Sequence, residues 1–335
     1  MLRLVDSQQA APTAYGSLQA ALAELPPEVI DGSEPLTLQL APGHYHERIF
    51  TQVPRLHLQG MGEDPADTLI EYDLGAFAQD ADGEKLGTFR TPTFHCESES
   101  LHLENLTIQN SAGPGHSAGQ AIALSLNAGQ AFVERCRLLG DQDTLFLAPL
   151  PPGALQPKGF LGTELWRRRE VCASVFTDCY IEGGVDFIFG GGAAWFERCE
   201  IFSRCPDDFA DRPDGVPAGY LTAASTPEGQ PFGLVFADCR LTSNCPQASV
   251  YLGRPWRDFA RTLLLRCYIG AHIKPEGWHD WHKENAQSTV WYGEWASTGP
   301  GSDTDKRVAW SRLLHEDVAR TITRAEFSKT FDLNF

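Results

Sequence analysis

Short apolar segments recur along the chain in one form: two apolar residues, two variable residues, a cysteine, a variable residue and a last apolar residue. The five copies span 132–138 (FVERCRL), 175–181 (VFTDCYI), 195–201 (WFERCEI), 235–241 (VFADCRL) and 263–269 (LLLRCYI). Short apolar runs with alternation are typical of β-strands, and self-similar units are typical of repeat folds. The pattern therefore predicts five equivalent strands.

The intervals between the copies predict that these strands stack as a parallel β-helix. Cys179 and Cys199 are 20 residues apart, which is enough for one coil. The other intervals are 28, 40 and 43 residues long. Each holds either two coils or one coil with an excursion, which is a loop that leaves the coil and returns to it. Earlier segments bounded by Gly, Pro, Asn or Asp show the same alternation, at 36–40, 56–59 and 101–108. In the last of these, Asn105 is assigned to the cysteine position.

Helices are predicted only near the two ends. A helix near the N-terminus is predicted from four residues that share one face, Tyr15, Leu18, Ala21 and Leu22. Pro26 and Pro27 are expected to end it. The chain is predicted to become helical again over 311–320, as a cap. We therefore expect one all-β domain over 1–335, with a short N-terminal capping helix and a C-terminal helical cap.

The composition, with 42% hydrophobic and 21% charged residues, is that of a soluble globular protein. A formal charge of −17 argues against nucleic acid and against an anionic membrane as partners. Asp6, Gln8 and Gln9 interrupt any apolar stretch at the start, so no signal peptide is predicted. We expect a cytoplasmic monomer; a secreted mature form whose leader was removed is the alternative.

The nine cysteines are expected to be structural. Five of them occupy the repeat position among apolar neighbours, where a free thiol packs as a small hydrophobe. Neither C-x-x-C nor a Cys/His pairing at ligand spacing occurs, so no metal site is predicted. We expect the five repeat thiols to be buried, reduced and stacked along one inner face.

Two aspartates occupy the same position in two copies of the repeat. The residue seven positions after the cysteine is Asp143 in the first copy and Asp186 in the second, whereas the other three copies carry Pro206, Pro246 and Lys274. A turn that required Asp would have it in all five copies, so the pair indicates a site. Stacked copies would place the two carboxylates about 5 Å apart. Paired carboxylates are suited to acid/base and nucleophilic chemistry.

Several short motifs surround these aspartates. They are 119–124 (GQAIAL), 141–145 (DQDTL), 186–190 (DFIFG) and 252–256 (LGRPW), together with 43–47 (GHYHE), 277–278 (GW) and 299–301 (GPG). In these motifs and their order, over about residues 12–315, the chain resembles the pectin methylesterases. The resemblance implies a right-handed parallel β-helix enzyme that removes methyl esters from galacturonate units of pectin or of oligogalacturonides, without a cofactor.

The resemblance also implies roles for individual residues. It implies Asp186 as the nucleophile, Asp143 as general acid and then base, and Gln142 as a donor that stabilises the transition state. It implies Gln120 as a second oxyanion donor and substrate contact. It implies that Arg254 orients Asp186 and contacts the substrate. These assignments suit an ester hydrolysis that needs no histidine.

Four more residues are candidates for contacts with the sugar. Trp256 is implied to line the sugar site, and Thr88 aligns with a sugar contact of the family. Phe146 and Phe189 are further candidates, for which core packing is the alternative, because aromatic stacks commonly fill β-helix cores.

Alternative functions remain open at this point. A polygalacturonase-type glycoside hydrolase also pairs carboxylates, and a non-catalytic carbohydrate-binding β-helix would use the same fold. A member of the family that acts on another ester or thioester is a further alternative. Residues 115–119 (GHSAG) match the G-x-S-x-G nucleophile motif, but that motif needs a strand–turn–helix among alternating β and α units.

Three segments distinguish this chain from the family pattern. The Pro-rich stretch 149–157 is predicted to leave the coil as a loop, within an insertion at 147–170, which keeps the two aspartates on neighbouring coils. The acidic loop 207–214 has no counterpart. The net charge predicts a preference for neutral, heavily methylated pectin, with the basic run 167–169 offsetting repulsion locally.

Overall fold

The protein is described by a computed structural model that covers residues 1–8 and 13–333. Its strands form three parallel sheets of 11, 8 and 7 strands. Successive strands along the chain enter sheet 1, sheet 2 and sheet 3 in turn, so each set of three makes one coil. The predicted parallel β-helix is confirmed.

The strands of each sheet follow one another in space. Sheet 1 contains Leu2–Val5, Leu36–Leu40, Arg55–Gly60, Ser100–Glu104, Gln130–Glu134, Ala173–Thr177, Ala193–Glu197, Leu234–Ala237, Arg261–Leu265, Trp291–Trp295 and Arg312–Leu313. Sheet 2 contains Gly43–His46, Thr68–Tyr72, Thr107–Asn110, Arg137–Leu139, Tyr180–Gly183, Glu200–Ser203, Arg240–Ser243 and Tyr268–Ile269. Sheet 3 contains Ile49–Thr51, Phe94–Cys96, Leu124–Leu126, Leu145–Leu147, Val185–Gly190, Gly219–Ala224 and Val250–Gly253.

Each repeat forms a corner of the coil and not the single strand that the pattern predicted. The residue before each cysteine has a positive φ of 49–55°, at Arg135, Asp178, Arg198, Asp238 and Arg266. This left-handed conformation turns the chain from a strand of sheet 1 into a strand of sheet 2. A period-two pattern does not reveal such a one-residue corner.

The segment predicted as one strand over 101–108 bends in the same way. Asn105 has a φ of 54° and separates Ser100–Glu104 from Thr107–Asn110. Because Glu104 pairs with Glu134, Asn105 is equivalent to the residue before the cysteine, and Leu106 holds the cysteine position. The assignment of Asn105 to that position was wrong by one residue.

Each interval between repeats holds one coil, with an excursion in the three longer intervals and none between Cys179 and Cys199. The five sheet 1 strands of the repeats are consecutive neighbours in space, so no additional coil lies between them. Residues 148–172 contain no strand and leave the coil between sheet 3 and sheet 1, as predicted for the Pro-rich loop. The excursion therefore separates Asp143 from Asp186 in sequence but not by a coil.

The two apolar residues that open each repeat point in opposite directions. The second residue faces the interior, where Phe176, Phe196 and Phe236 stack with ring centroids 4.6 Å apart. The first faces outward, and its row includes Trp195 and Val235, both buried. An apolar outer row needs a cover, because exposed apolar area of this extent is unfavourable in water.

The C-terminal helices provide this cover. They span Glu316–Ala319 and Arg324–Thr330, and Phe327 packs against Trp195 and Phe232 with ring centroids 5.8 and 5.4 Å away. The predicted C-terminal cap therefore lies on the side of sheet 1 and does not close the end of the coil. Within the predicted helical region, Arg312–Leu313 is a strand of sheet 1.

The N-terminal helix packs on the first coils. It spans Leu18–Leu22, begins at Ser17, whose hydroxyl accepts a hydrogen bond from Ala20 N, and buries Leu18 and Ala21. Tyr15 lies before it, in a bridge to Val5. Pro27 does not simply end this helix; it begins a second one, Pro27–Ile30, at a position that proline favours. No helix among the described residues is long and apolar enough to cross a membrane.

The five repeat cysteines are buried and free, as predicted. Four of them donate to a carbonyl oxygen of the preceding coil, at S–O distances of 3.3–3.6 Å, for Cys179, Cys199, Cys239 and Cys267. Burial raises the pKa of Cys136 to about 12, so this thiol stays protonated at neutral pH. Protonated, buried thiols are poor nucleophiles.

We expect the repeat thiols to resist alkylation in the folded protein and to react fully after denaturation without a reductant. Mass spectrometry of alkylated peptides would report each of Cys136, Cys179, Cys199, Cys239 and Cys267 separately. Recovery of a disulfide between any two of them would contradict the stacked free thiols. Cys205, which is half-buried and carries a free thiol, provides an internal comparison for reactivity in the native state.

Candidate active site

The two aspartates lie on neighbouring coils at the outer face of sheet 3. Asp143 precedes the strand Leu145–Leu147, and Asp186 is the second residue of Val185–Gly190. Gln142 bridges to Val185 and Leu145 pairs with Ile188, so Asp143 and Asp186 occupy equivalent positions. Both have a positive φ, of 65° and 50°. Aspartate tolerates this left-handed conformation better than most residues, and here it marks equivalent turns in two successive coils.

Both carboxyl groups open into a cleft of about 660 Å³. The outer face of sheet 3 forms its floor, and the excursion over 148–172 contributes the segment 154–161 to one wall. Trp281 and Lys283 come from a later loop and line the cleft as well. Loops carried on a rigid scaffold thus surround a pair of nearly buried acids.

Arg254 holds Asp186 through two parallel hydrogen bonds. Its Nε donates to Asp186 Oδ1 at 2.9 Å, and one terminal nitrogen donates to Oδ2 at 2.7 Å. The guanidinium carbon lies 3.8 Å from the ring centroids of both Tyr220 and Trp281. Two aromatic faces and a bidentate carboxylate together restrict the position of the guanidinium.

The environment separates the pKa values of the two acids. Burial raises the pKa of Asp143 well above its usual range, the charge of Asp186 raises it further, and Arg254 opposes this only in part. Burial also raises the pKa of Asp186, but the charge and hydrogen bonds of Arg254 act against the rise. Asp186 therefore ionises first, while Asp143 keeps its proton.

Gln120 and Gln142 line the same cleft from adjacent coils. Ala121 N donates to Gln142 O at 3.0 Å, which ties the two segments together. Within the part of the chain that the structure describes, neither side-chain amide has a hydrogen-bond partner. Gly115 packs closely on Gln142, and a Cβ at that position would lie 2.5 Å from Gln142 Oε1. Both amides remain available to a ligand.

The predicted sugar contacts divide into two groups. Trp256, Phe189 and Thr88 line the cleft. Phe146 is fully buried on the same face of sheet 3 as Phe189 and packs against Phe89 and Phe189, with ring centroids 5.1 and 5.0 Å away. Phe146 thus belongs to the aromatic cluster beside the cleft and does not line it.

The G-x-S-x-G segment forms a different structure from a nucleophile elbow. Gly115–Ala118 is a single helical turn, and Ser117 Oγ donates to the carbonyl oxygen of Pro114 at 3.1 Å. Neighbouring His116 faces Asp207, with 3.5 Å between Nδ1 and the carboxylate. Ser117 is exposed and does not line the cleft.

The charged segments singled out in the sequence lie outside the cleft. Arg169 donates to the carbonyl oxygens of Glu97 and Ser98, both at 2.9 Å, so it anchors the excursion to the coil. The acidic loop holds itself together through Arg212 and Asp208, at 2.8 Å. The expectation that the run 167–169 offsets repulsion at the substrate is therefore not supported.

Three clusters of ligand-type side chains occur among the described residues, each with its ligand atoms within 4.8 Å of one another. They are His44, His46 and Glu71; His57, His102 and Glu104; and His116, Asp207 and Asp208. None of these residues lines the cleft. The cleft itself is lined by two carboxylates of the aspartate pair, two glutamine amides and Arg254, with further cations on its walls.

Several cleft residues carried no recognisable signal in the sequence. Tyr220 and Trp281 contact Arg254 although they lie 34 and 27 residues from it in sequence. Lys283 and Arg257 add two cations to the wall. Only Trp281 had a hint, because it closely follows the Gly277–Trp278 motif.

Comparison with known proteins agrees with this geometry. The model of the Pectinesterase family matches residues 7–149 and 171–330. Pectinesterase 31 of Arabidopsis thaliana is 32% identical over 95% of this chain and 89% of its own length. The structure is similar to pectin methylesterase PemA of Erwinia chrysanthemi, with a TM-score of 0.76, 26% identity and coverage of 97% and 96% of the two chains. It is also similar to a pectin methylesterase in complex with a hexasaccharide, with a TM-score of 0.77, 26% identity and the same coverages.

Proposed function

Because the chain belongs to the pectinesterase family, whose members remove methyl esters from pectin, we propose that Asp186 is the nucleophile of this reaction and Asp143 its acid and base. One observation carries the proposal. The bidentate pair with Arg254 favours the ionised form of Asp186, whereas Asp143, on the neighbouring coil, favours its protonated form.

The first half of the reaction forms an acyl-enzyme. An Asp186 carboxylate oxygen attacks the ester carbonyl carbon, and the negative charge moves to the carbonyl oxygen. The free amides of Gln120 and Gln142 donate hydrogen bonds to this oxyanion. As the bond to the methoxy oxygen breaks, Asp143 transfers its proton to that oxygen, and methanol leaves. A galacturonyl anhydride on Asp186 remains.

The second half restores the enzyme. Asp143, now ionised, takes a proton from a water molecule, whose oxygen attacks the galacturonyl carbon. The bond to Asp186 breaks, its carboxylate returns to Arg254, and free galacturonate is released. The sum is one ester and one water converted to one acid and one methanol.

The sugar is held by the walls of the cleft. The indole of Trp256 offers an apolar face to a pyranose ring, with Phe189 beside it at a centroid distance of 5.8 Å. Thr88, in a short 3₁₀ helix, and Gln120, in a loop, offer polar atoms to the same cleft. These contacts support a polymeric or oligomeric galacturonan as the substrate.

We expect the purified protein to release methanol from methylated pectin without generating reducing ends. Methanol and reducing ends would be measured in the same reaction, because a glycoside hydrolase of the polygalacturonase type would produce reducing ends and no methanol. Production of reducing ends alone would reject the esterase proposal. Absence of both products, with the substrate still bound, would favour a carbohydrate-binding protein.

A further inference from the structure

The walls of the cleft are positively charged, although the whole protein carries a formal charge of −17. Apart from Asp143 and the Asp186–Arg254 pair, the charged side chains that line it are Glu84, Lys85, Lys158, Arg257 and Lys283. Four cations thus accompany a single carboxylate. The local potential, more than the net charge, acts on a bound chain of uronates.

Two of the four cations, Lys85 and Lys158, lie at the rim of the cleft and contribute little charge to its interior. Lys158 Nζ lies 2.8 Å from Glu84 Oε2, and both side chains are exposed, so this pair is close to neutral. Lys85 Nζ lies 4.0 Å from the ring centroid of Phe77, at the edge of the cleft. The positive charge beside the predicted sugar position comes from Arg257 and Lys283.

Lys283 is oriented but lacks an anionic partner. Its Nζ donates to the carbonyl oxygens of Pro255 and Trp256, at 2.8 and 3.1 Å, and lies 4.6 Å from the ring centroid of Trp281. An ammonium has three protons, so one remains for a ligand. No carboxylate oxygen of the described chain lies within 4.0 Å of it.

Arg257 has a similar arrangement and shares one acceptor with Lys283, the carbonyl oxygen of Trp256. It donates to the carbonyl oxygens of Trp256 and Gly153, at 2.8 and 2.9 Å, and its guanidinium carbon lies 5.0 Å from the Trp256 ring centroid. It too lacks a carboxylate within 4.0 Å among residues 1–8 and 13–333. Partly buried cations without a counter-ion are unfavourable, and an incoming carboxylate relieves this.

We propose that Lys283 and Arg257 bind the free carboxylate of an unesterified galacturonate unit that adjoins the methyl ester being cleaved. This inference rests on the proposed function of the cleft. Both cations donate to the carbonyl oxygen of Trp256, so they lie beside the residue whose indole is proposed to contact the sugar. The enzyme would then favour esters next to units that are already de-esterified, the opposite of the preference that the net charge predicted.

Protonation of Lys283 connects this site to pH. Burial, followed by the charge of Arg257, lowers the pKa of Lys283 to about 8. Arg254 lowers it as well, whereas Asp258 and Asp186 raise it. The charge that binds the carboxylate is therefore present below about pH 8 and is lost as the pH rises above it.

The first test compares two methylated hexagalacturonates, one fully esterified and one with free acids beside the remaining esters. The measured quantity is the selectivity ratio, which is kcat/KM for the partly esterified hexamer divided by kcat/KM for the fully esterified one. We expect Lys283→Met to lower this ratio about tenfold, which corresponds to about 1.4 kcal/mol. Lys158→Met removes one charge from the rim and should preserve the ratio. Lys283→Arg should preserve the ratio of the wild-type protein and should keep it above pH 8, because arginine remains charged there. An unchanged ratio in Lys283→Met would reject the site.

The second test does not depend on hydrolysis. Binding of wholly unesterified hexagalacturonate to the wild-type protein and to Lys283→Met would be measured by calorimetry, after matching melting temperatures confirm that the variant is folded. We expect affinity to fall about tenfold, with a smaller dependence on salt. If the unesterified hexamer binds through Lys283 but the protein releases no methanol from methylated pectin, the carboxylate site is retained and the esterase is rejected. If methanol is released from methylated pectin but the wild-type and Lys283→Met proteins bind the hexamer equally, the esterase is retained and the carboxylate site is rejected.

Discussion

Replacing Asp186 by Asn is expected to abolish methanol release, with a loss of roughly 10⁴–10⁶-fold in kcat, the range seen when a nucleophile is removed from a catalytic unit. An amide oxygen is a poor nucleophile, and the variant cannot form the anhydride. Binding of the sugar chain should persist, because its aromatic contacts are unchanged. Methanol release would be measured with excess enzyme as well as under turnover, so that a single slow acylation is detected.

The Asp186→Asn variant also leaves Arg254 without its counter-ion, and breaking a buried pair costs about 3–5 kcal/mol. Loss of activity must therefore be separated from loss of folding. Asp178 provides a matched control, because Arg198 binds it in the same bidentate geometry, at 2.9 and 2.8 Å, on the exposed surface. Asp178→Asn should retain activity and lose at most about 1 kcal/mol of stability. A folded Asp186→Asn protein with more than a hundredth of wild-type activity would exclude Asp186 as the nucleophile.

Replacing Asp143 by Asn is expected to reduce cleavage of methyl esters by about 10²–10⁴-fold, the usual contribution of a general acid. Methoxide is a poor leaving group without a proton, whereas a phenolate leaves unaided. Acylation by a galacturonate aryl ester, followed by phenolate release in single turnover, should therefore be partly rescued in this variant. Equal losses for methyl and aryl esters would show that Asp143 acts in some other way.

The pH dependence provides a second measure of the Asp143 role. Wild-type activity should be bell-shaped, since protonation of Asp186 removes the nucleophile at low pH and ionisation of Asp143 removes the acid at high pH. Because burial raises the pKa of Asp143 in the folded state, the neutral form is the stable one there, and ionisation at higher pH destabilises the fold. Asp143→Asn cannot ionise, so its melting temperature relative to wild type should increase as the pH rises. In the wild-type protein the alkaline limb should be weaker for acylation by the aryl ester than for the methyl ester, because phenolate leaves without the proton of Asp143.

Site residues whose positions follow from the repeat could be predicted from the sequence alone. A parallel β-helix places equivalent positions of successive repeats side by side, so the equal spacing from each repeat cysteine to its aspartate was sufficient to pair Asp143 with Asp186. The order of local motifs was sufficient to select Gln142 and Arg254 as partners of the two acids. Strand spacing is a general property of sheets, and this regularity makes such an inference possible.

Contacts between the coils and the loops that leave them could not be predicted, because these loops do not follow the repeat. Tyr220, on a strand of sheet 3, and Trp281, in a later loop, enclose Arg254. Lys283 lies beside Trp256 because the same loop folds back over sheet 3. Phe146 and Phe189 belong to similar motifs and pair directly across sheet 3, on the same face, yet only Phe189 lines the cleft. Phe146 is fully buried because Phe89 and Trp166, from two other segments of the chain, pack against it, and hydrophobicity does not specify such contacts.

Local spacing along the chain was enough to predict the repeated coil, the register of the two aspartates and the family to which the catalytic motifs belong. The corners before the cysteines, the position of the C-terminal helices on sheet 1 and the positive walls of the cleft depend on packing between distant segments and emerged only from the fold. A net charge of −17 contains no information on where the charges lie. Their placement depends on which excursions pack against the cleft, and that packing brings together residues that are distant in sequence.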